Sequence, residues 1–223
     1  MEPTRRQIEE ALRSMRVPRD GYEAMRESAE RGFAKIAPAV RARTVWRRFS
    51  LTVSGREIRL DGEVLCASDS LARLFADCHA CAALAVTLGP EVDRLIQLVS
   101  RAGMAEAVAC DACASVWADS LCDGVERGIE GKLAKGEFLT LRFSPGYGDV
   151  PMSVTADLLR LLDAGRLIGL TLSRKGMMIP VKSVTALIGI AGRPQPRRRS
   201  CADCVMKDCQ YRKDGGVCHE EDQ

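Results

Sequence analysis

Apolar residues return every three or four positions in the opening segment, at Ile8, Leu12 and Met15. That spacing predicts one buried helix face, with Pro18 and Gly21 to stop it. A second stripe, Tyr22, Met25, Ala29, Phe33 and Ile36, predicts another amphipathic helix that ends near Pro38. Between 43 and 66 the period changes. "TVWRRFSLTV" is rich in β-branched and aromatic residues, and Ile58 and Leu60 alternate between two glycine-containing turns. Two or three antiparallel strands are expected there. Residues 68–77 open on a Ser/Asp cap and read as helix. "CAALAVTLG" is apolar throughout and predicts a buried strand. Pro90 then stands where a first helical turn tolerates proline, and a helix over 90–103 follows. The next helix, over 104–133, is apolar or small around much of its circumference, so it is expected to be central.

The second half predicts a strand at "FLTLRF" (138–143) and a helix over 153–165 ended by Gly165. A strand at "LIGLTLS" (167–173), a loop at "RKG" and a strand at 182–192 follow. "RPQPRRRS" (193–200) breaks all periodicity and reads as a basic linker. Residues 201–223 are polar and cysteine-rich. The fold class expected is α+β: a mainly antiparallel twisted sheet with packed helices over 1–192, the linker, and a small cysteine-rich C-terminal module over 201–223. No internal repeat is visible.

Composition narrows the function classes. The chain has 223 residues, 33 basic against 30 acidic, and a net charge of +3. That near balance argues against nucleic acid as a partner. The linker has four arginines but no interleaved aromatics, which favours a solvated segment over a nucleic-acid arm. The longest apolar run is too short to span a bilayer, so no membrane association is expected. The charged N-terminus does not read as a leader. A cytoplasmic location is expected, where ten cysteines are poor candidates for structural disulfides.

Eight of the ten cysteines fall into two groups. The C-x-x-C pairs at 78–81 and 110–113 fall within apolar patterns and read as core packing. Cys201, Cys204, Cys209 and Cys218 run C-x2-C-x4-C-x8-C in a segment with no core to fill. Four thiols so spaced suit a tetrahedral zinc site or an iron–sulfur cluster. "GMMIP" (176–180) reads as packing at a strand start.

The stretch "RFSPGYGDVP" (142–151) carries the most chemistry. Arg142 offers a rigid fork of donors that matches a carboxylate. Gly146 and Gly148 let backbone approach a ligand closely, and Tyr147 adds a flat face and a hydroxyl. Together they suit an amino-acid-like or nucleoside ligand; the plain alternative is a Pro-Gly turn beside a surface arginine.

Several motifs agree in order: "VTLGPEVDRLI", "DACASVWADSLCD", "LRFSPGYGDVP", "LLDAGRLIGLTLS" and "MMIPVKSVTALIGI". Over roughly 80–192 the chain resembles the activation domain of cobalamin-dependent methionine synthase, in particular its short stand-alone activation proteins. The resemblance implies an S-adenosylmethionine-binding activation subunit that supports reductive remethylation of inactive cob(II)alamin, with little turnover alone. The cobalamin would sit on a partner, a methionine synthase or another corrinoid protein, and an electron donor such as flavodoxin or ferredoxin would complete the system. It further implies that Arg142 pairs with the methionine carboxylate. Ser144, Pro145 and Gly146 would shape the pocket through backbone, Tyr147 would lie against the ligand, and Asp119 would stand in for an acidic residue on the preceding helix. A tyrosine of the fused enzyme is replaced near Leu187 by an aliphatic residue. Two other readings stand beside this one: reactivation of another corrinoid methyltransferase, and a non-catalytic zinc-binding interaction protein. An ordinary S-adenosylmethionine-dependent methyltransferase is disfavoured, because no strand leads into a glycine-rich loop of the Rossmann type.

Overall fold

The computed structural model describes residues 2–195. Most of the basic linker and the cysteines Cys201, Cys204, Cys209 and Cys218 lie outside them. The chain divides into two compact units, each gathered from three stretches. One comprises Met1–Trp46, Leu84–Arg127 and Leu159–Thr185; the other comprises Arg47–Ala83, Gly128–Leu158 and the chain from Ala186.

The first unit is mainly helical. Its elements are α1 (Arg5–Ser14), α2 (Tyr22–Ile36), α4 (Pro90–Ala102), most of α5 (Met104–Glu130) and the short α7 (Ala164–Ile168). Thr4 starts α1 with a capping box: its hydroxyl accepts the Gln7 amide at 3.2 Å, and the Gln7 side chain accepts the Thr4 amide at 2.8 Å. Such a box satisfies two amides that a helix start leaves orphaned. The helix stops earlier than Pro18, at Arg16, whose φ of +62° leaves the helical region. Most of the predicted stripes of α1 and α2 form the core, where Ile8, Leu12, Ala29, Phe33 and Ile36 are buried beside Val92, Cys113 and Trp117, whereas Met25 is exposed. Phe33 and Trp117 meet as a tilted aromatic pair, with ring centroids 5.2 Å apart. Gly32 sets the closeness of α2 and α5. A Cβ there would stand 2.9 Å from Cys113 Sγ and 3.1 Å from the Ala109 carbonyl oxygen.

The second unit holds the hairpins and the loop that follows them. Within it β1 (Arg43–Ser54) pairs antiparallel with β2 (Glu57–Leu60), placing Leu51 opposite Leu60 and Val53 opposite Ile58. Strand β2 pairs in turn with β3 (Glu63–Ala67) through a register shift at Ile58/Arg59. The turns use Gly55, Asp61 and Gly62, all at positive φ, as tight hairpins demand. Helix α3 (Asp69–Leu74) follows, capped by Ser68, whose hydroxyl accepts the Leu71 amide at 3.1 Å. The remaining strands are β4 (Cys78–Thr87), β5 (Phe138–Leu139) and β8 (Ser183–Ala191), and the sheet is six-stranded and antiparallel in the order β3-β2-β1-β4-β8-β5. In the first unit a separate pair joins β6 (Thr171–Leu172) to β7 (Met178–Ile179). The α+β class with an antiparallel sheet and packed helices is therefore what forms, and no helix among the described residues is long and apolar enough to cross a membrane.

Four local expectations are corrected. The predicted helix over 153–165 is two helices, α6 (Val154–Leu161) and α7, because Asp163 between them sits at φ +51°. Gly165 therefore lies inside α7, and the residue that ends it is Gly169, left-handed at φ +71°. The strand expected at 167–173 shrinks to two residues for the same reason. At "FLTLRF" only Phe138 and Leu139 form a regular ladder. Beyond them the Thr140 hydroxyl, not a backbone carbonyl, accepts the Gly189 amide at 2.8 Å. Pairing then resumes as a single bridge between Phe143 and Leu187. Finally, the apolar residues around "GMMIP" face outward: Met177, Ile179 and Val181 are 58%, 49% and 52% exposed, and only Pro180 is buried among their neighbours.

The two C-x-x-C pairs behave as packing groups. Cys81, Cys110 and Cys113 are buried free thiols. Burial pushes the Cys113 thiol up to about 12, and its Sγ donates to the Ala29 carbonyl at 3.3 Å. Burial raises Cys78 to about 11 and Cys81 further in the same direction. Reactive thiols are shifted the other way.

Candidate functional site

The loop 142–151 is positioned at both ends by the second unit. At its entry, the Phe143 amide and carbonyl exchange two 2.8 Å hydrogen bonds with Leu187 on β8. Leu187 is buried, so the aliphatic residue noted in the sequence serves the sheet core here. Gly189, two residues on, is required by crowding. A Cβ on it would lie 2.6 Å from Cys78 Sγ and 2.8 Å from a Phe75 ring carbon. Arg142 sits beside the bridge, half-buried, at the point where the chain leaves the sheet.

The loop then closes on itself. The Gly146 amide donates to the Val150 carbonyl at 2.9 Å, and the Val150 amide donates to the Tyr147 carbonyl at 3.1 Å. This tight double closure needs two residues in the left-handed region, and both are glycine: Gly146 at φ +89° and Gly148 at φ +56°. Other residues pay a steric penalty in that region. Sterics forbid side chains as well. A Cβ on Gly146 would run into Met152 Sδ, and one on Gly148 would stand 2.6 Å from Ser70 Oγ. Pro145 is buried beneath the turn, while Tyr147 projects outward, 66% exposed.

A residue that the sequence reading did not single out fastens the far side. The Asp149 carboxylate accepts from Ser68 Oγ at 2.6 Å, the Asp69 amide at 2.6 Å and the Ser70 amide at 3.1 Å, and the Arg56 guanidinium stands 3.4 Å away. Asp149 thus takes up amides at the start of α3, where a helix leaves its first N–H groups unsatisfied. The Ser68 hydroxyl, the Asp69 amide and the two Ser70 donors hold the Asp149 carboxyl well below the usual carboxylate range, against the desolvation that opposes them. Hydrogen bonds to the charged form have this effect. The available signal was the Ser68 cap, which the sequence did show; its partner 81 positions away in the chain was not visible.

A second polar cluster in the same unit ties strands together. Glu137 accepts both Arg48 Nη atoms, at 2.9 and 2.5 Å, the Ala134 amide at 2.9 Å, and lies 2.9 Å from His79 Nε2. The Arg48 hydrogen bonds, with those from Ala134 and His79, hold the Glu137 carboxyl far below its ordinary range. This cluster is self-satisfied and presents no cradle.

Of the predicted site residues, Arg142, Ser144, Pro145, Gly146 and Tyr147 therefore lie in one braced loop of the second unit. Asp119 is an exposed residue of α5 in the first unit. Among the described residues no group of three or more His, Cys, Asp or Glu could hold a metal ion.

No protein-family model matches the chain, and no curated protein matches it. Among solved structures, the crystal structure of the MetH reactivation domain bound to AdoHcy aligns with a TM-score of 0.57, over 85% of this chain and 77% of that one, at 16% identity. The chain has the fold of the MetH reactivation domain. At that identity the likeness speaks for the reactivation-domain fold alone.

Proposed function

We propose that the chain is an S-adenosylmethionine-binding activation component for a corrinoid methyltransferase, the cobalamin-dependent methionine synthase or a related enzyme. The observation that carries this reading is the braced loop 142–151, found in a chain with the fold of a domain that binds AdoHcy. AdoHcy is what remains of S-adenosylmethionine once its methyl group has been transferred.

The residues present fit such a ligand. Arg142 presents a guanidinium at the loop entry, suited to a bidentate hold on the methionine carboxylate. Ser144, Pro145 and Gly146 would form the wall through backbone, and Met152 and Ser70, packed where side chains at 146 and 148 would stand, hold that backbone in shape. Tyr147 offers an exposed ring that would lie against the ligand. Asp149 orders the loop in advance, so less conformational entropy is lost on binding.

When bound, S-adenosylmethionine supplies the methyl group that traps the partner's reduced cobalamin. The chain's own contribution is to bind and orient, which is what proximity catalysis requires. A corrinoid partner would hold the cobalamin, and an electron donor such as flavodoxin or ferredoxin would deliver the electron. Little activity is expected of the chain alone.

The test is calorimetric titration of S-adenosylmethionine into wild type and Arg142→Ala. Saturable binding that the substitution weakens by about 2 kcal/mol, the scale of a lost charge-assisted hydrogen-bond pair, supports the reading. Absence of binding in wild type overturns it. An absorbance spectrum and metal analysis of the same anaerobic sample address the cysteines at 201, 204, 209 and 218: a brown sample means an iron–sulfur cluster, a colourless zinc-loaded one a zinc site.

A further inference from the structure

The first unit contains a cavity of about 480 Å³ whose lining includes Arg41, Arg43, Glu91, Ile168, Gly169 and Pro180. We propose that it binds an α-amino acid with an aliphatic side chain, held by its carboxylate on Arg43 and by its ammonium group on Glu91. The volume lies within the range of small-molecule sites, roughly 300–1,000 Å³.

Two charged groups of opposite sign define the ligand, a buried carboxylate oxygen of Glu91 and the guanidinium of the exposed Arg43. Glu91 Oε2 is buried and meets no hydrogen-bond donor among the described residues. A buried acceptor left unpaired is costly, so such atoms are rare and call for a partner. The Arg43 guanidinium makes no hydrogen bond or ion pair with any described residue. The two line the same cavity yet do not pair with each other. Arg41 is different: its Nη1 donates to the Pro38 and Val40 carbonyls, both at 2.9 Å, so it is spent on holding the rim.

The geometry around Glu91 keeps that space open. Gly89, at φ +91°, precedes α4; a Cβ on it would lie 3.1 Å from Glu91 Oε2 and 3.0 Å from Arg41 Cβ. The walls supply the remaining specificity. Ile168, Pro90 and Pro180 give apolar surface for an aliphatic side chain. A simple anion would satisfy Arg43 but face the Glu91 carboxylate. A simple cation would satisfy Glu91 but face the guanidiniums. A zwitterion serves both, and each contact is a charge-assisted hydrogen bond. This inference does not rest on the S-adenosylmethionine reading, since none of the lining residues belongs to the loop at 142–151.

The experiment is calorimetric titration of the full chain with L-leucine, and with two analogues that each lack one end: 4-methylpentanoate, without the ammonium, and 3-methylbutylamine, without the carboxylate. L-Leucine is expected to bind saturably, and each analogue about tenfold or more weaker, the scale of one lost charged contact. Arg43→Met should weaken L-leucine and 4-methylpentanoate while leaving 3-methylbutylamine unchanged. Glu91→Gln should do the reverse for the two analogues. Absence of saturable binding by L-leucine, L-valine and L-methionine overturns the proposal, as does binding of 4-methylpentanoate as tight as that of L-leucine. Should either variant melt early, the analogue series on wild type alone decides.

Discussion

Gly32 and Gly148 are both glycines under close contact, and they stand in regions built on opposite principles. Gly32 lies in the helical unit with an ordinary helical backbone, where the missing side chain lets α2 press against α5 through Cys113 and Ala109. That region is an apolar interlock. Its strength comes from buried area and dense packing, neither of which depends on charge. Gly148 lies in the loop of the second unit at positive φ, beside Ser70. That region is held by a few directed polar contacts, the Asp149 carboxylate foremost. Packing spreads stability over many contacts; the polar brace concentrates it in one group whose protonation state matters. A binding loop built the second way is ordered before its ligand arrives yet remains exposed enough to reach it.

The largest expected effect tests the apolar side of this contrast. Phe33→Ala, which removes a fully buried ring and its partner contact with Trp117, should destabilise the protein by about 3–5 kcal/mol in denaturant melts. The shift should hardly change between pH 5 and 8. A strong pH dependence would mean that charged groups support this core.

An intermediate effect is expected at the loop. Gly148→Ala places a side chain at φ +56° and against Ser70 Oγ. The left-handed conformation alone costs about 1–2 kcal/mol. The variant should lose S-adenosylmethionine affinity by about tenfold while melting only slightly earlier, because the strain falls on the loop. Equal affinity in wild type and variant would show that the loop geometry is irrelevant to binding.

The smallest effect concerns Asp149 itself. Asp149→Asn removes the charge that collects the amides of Asp69 and Ser70, and should cost about 1 kcal/mol once its contact with solvent is allowed for. The sign of the pH dependence follows from the depressed native pKa. The charged form is favoured in the folded state, so its stabilisation is complete above the unfolded value, about 3.9. It is lost progressively as the pH falls below that towards the native value. Wild type minus Asp149→Asn should therefore give a stability difference that is flat above pH 5 and shrinks below pH 4. A difference that grows on acidification would remove Asp149 as the brace.

Much of the helical unit was legible in the sequence because its signal is periodic and local. Most of the stripe from Tyr22 to Ile36 names the face that packs, and Ser68 and Pro90 mark helix starts through preferences that act within a single turn. The loop at 142–151 was legible as chemistry, since an arginine followed by Pro-Gly-Tyr-Gly has few uses, although its fastening was hidden. Two errors share a cause. Asp163 looked like one more polar position in an amphipathic run, and Met177 and Ile179 looked like core residues, because a window of sequence does not reveal backbone direction or which neighbours remain to cover a side chain.

The sequence by itself determined the α+β class, most of the helix faces, and the constellation of Arg142 and Tyr147. These follow from propensities and spacings that act over a few residues. Only the tertiary structure decided that Asp149 meets Ser68, that Thr140 replaces a backbone carbonyl opposite Gly189, and that Glu91 and Arg43 line one cavity unpaired. Each of these joins residues about 50 to 80 positions apart, where the chain's route through space, rather than any local preference, sets which charges and donors come within hydrogen-bonding reach.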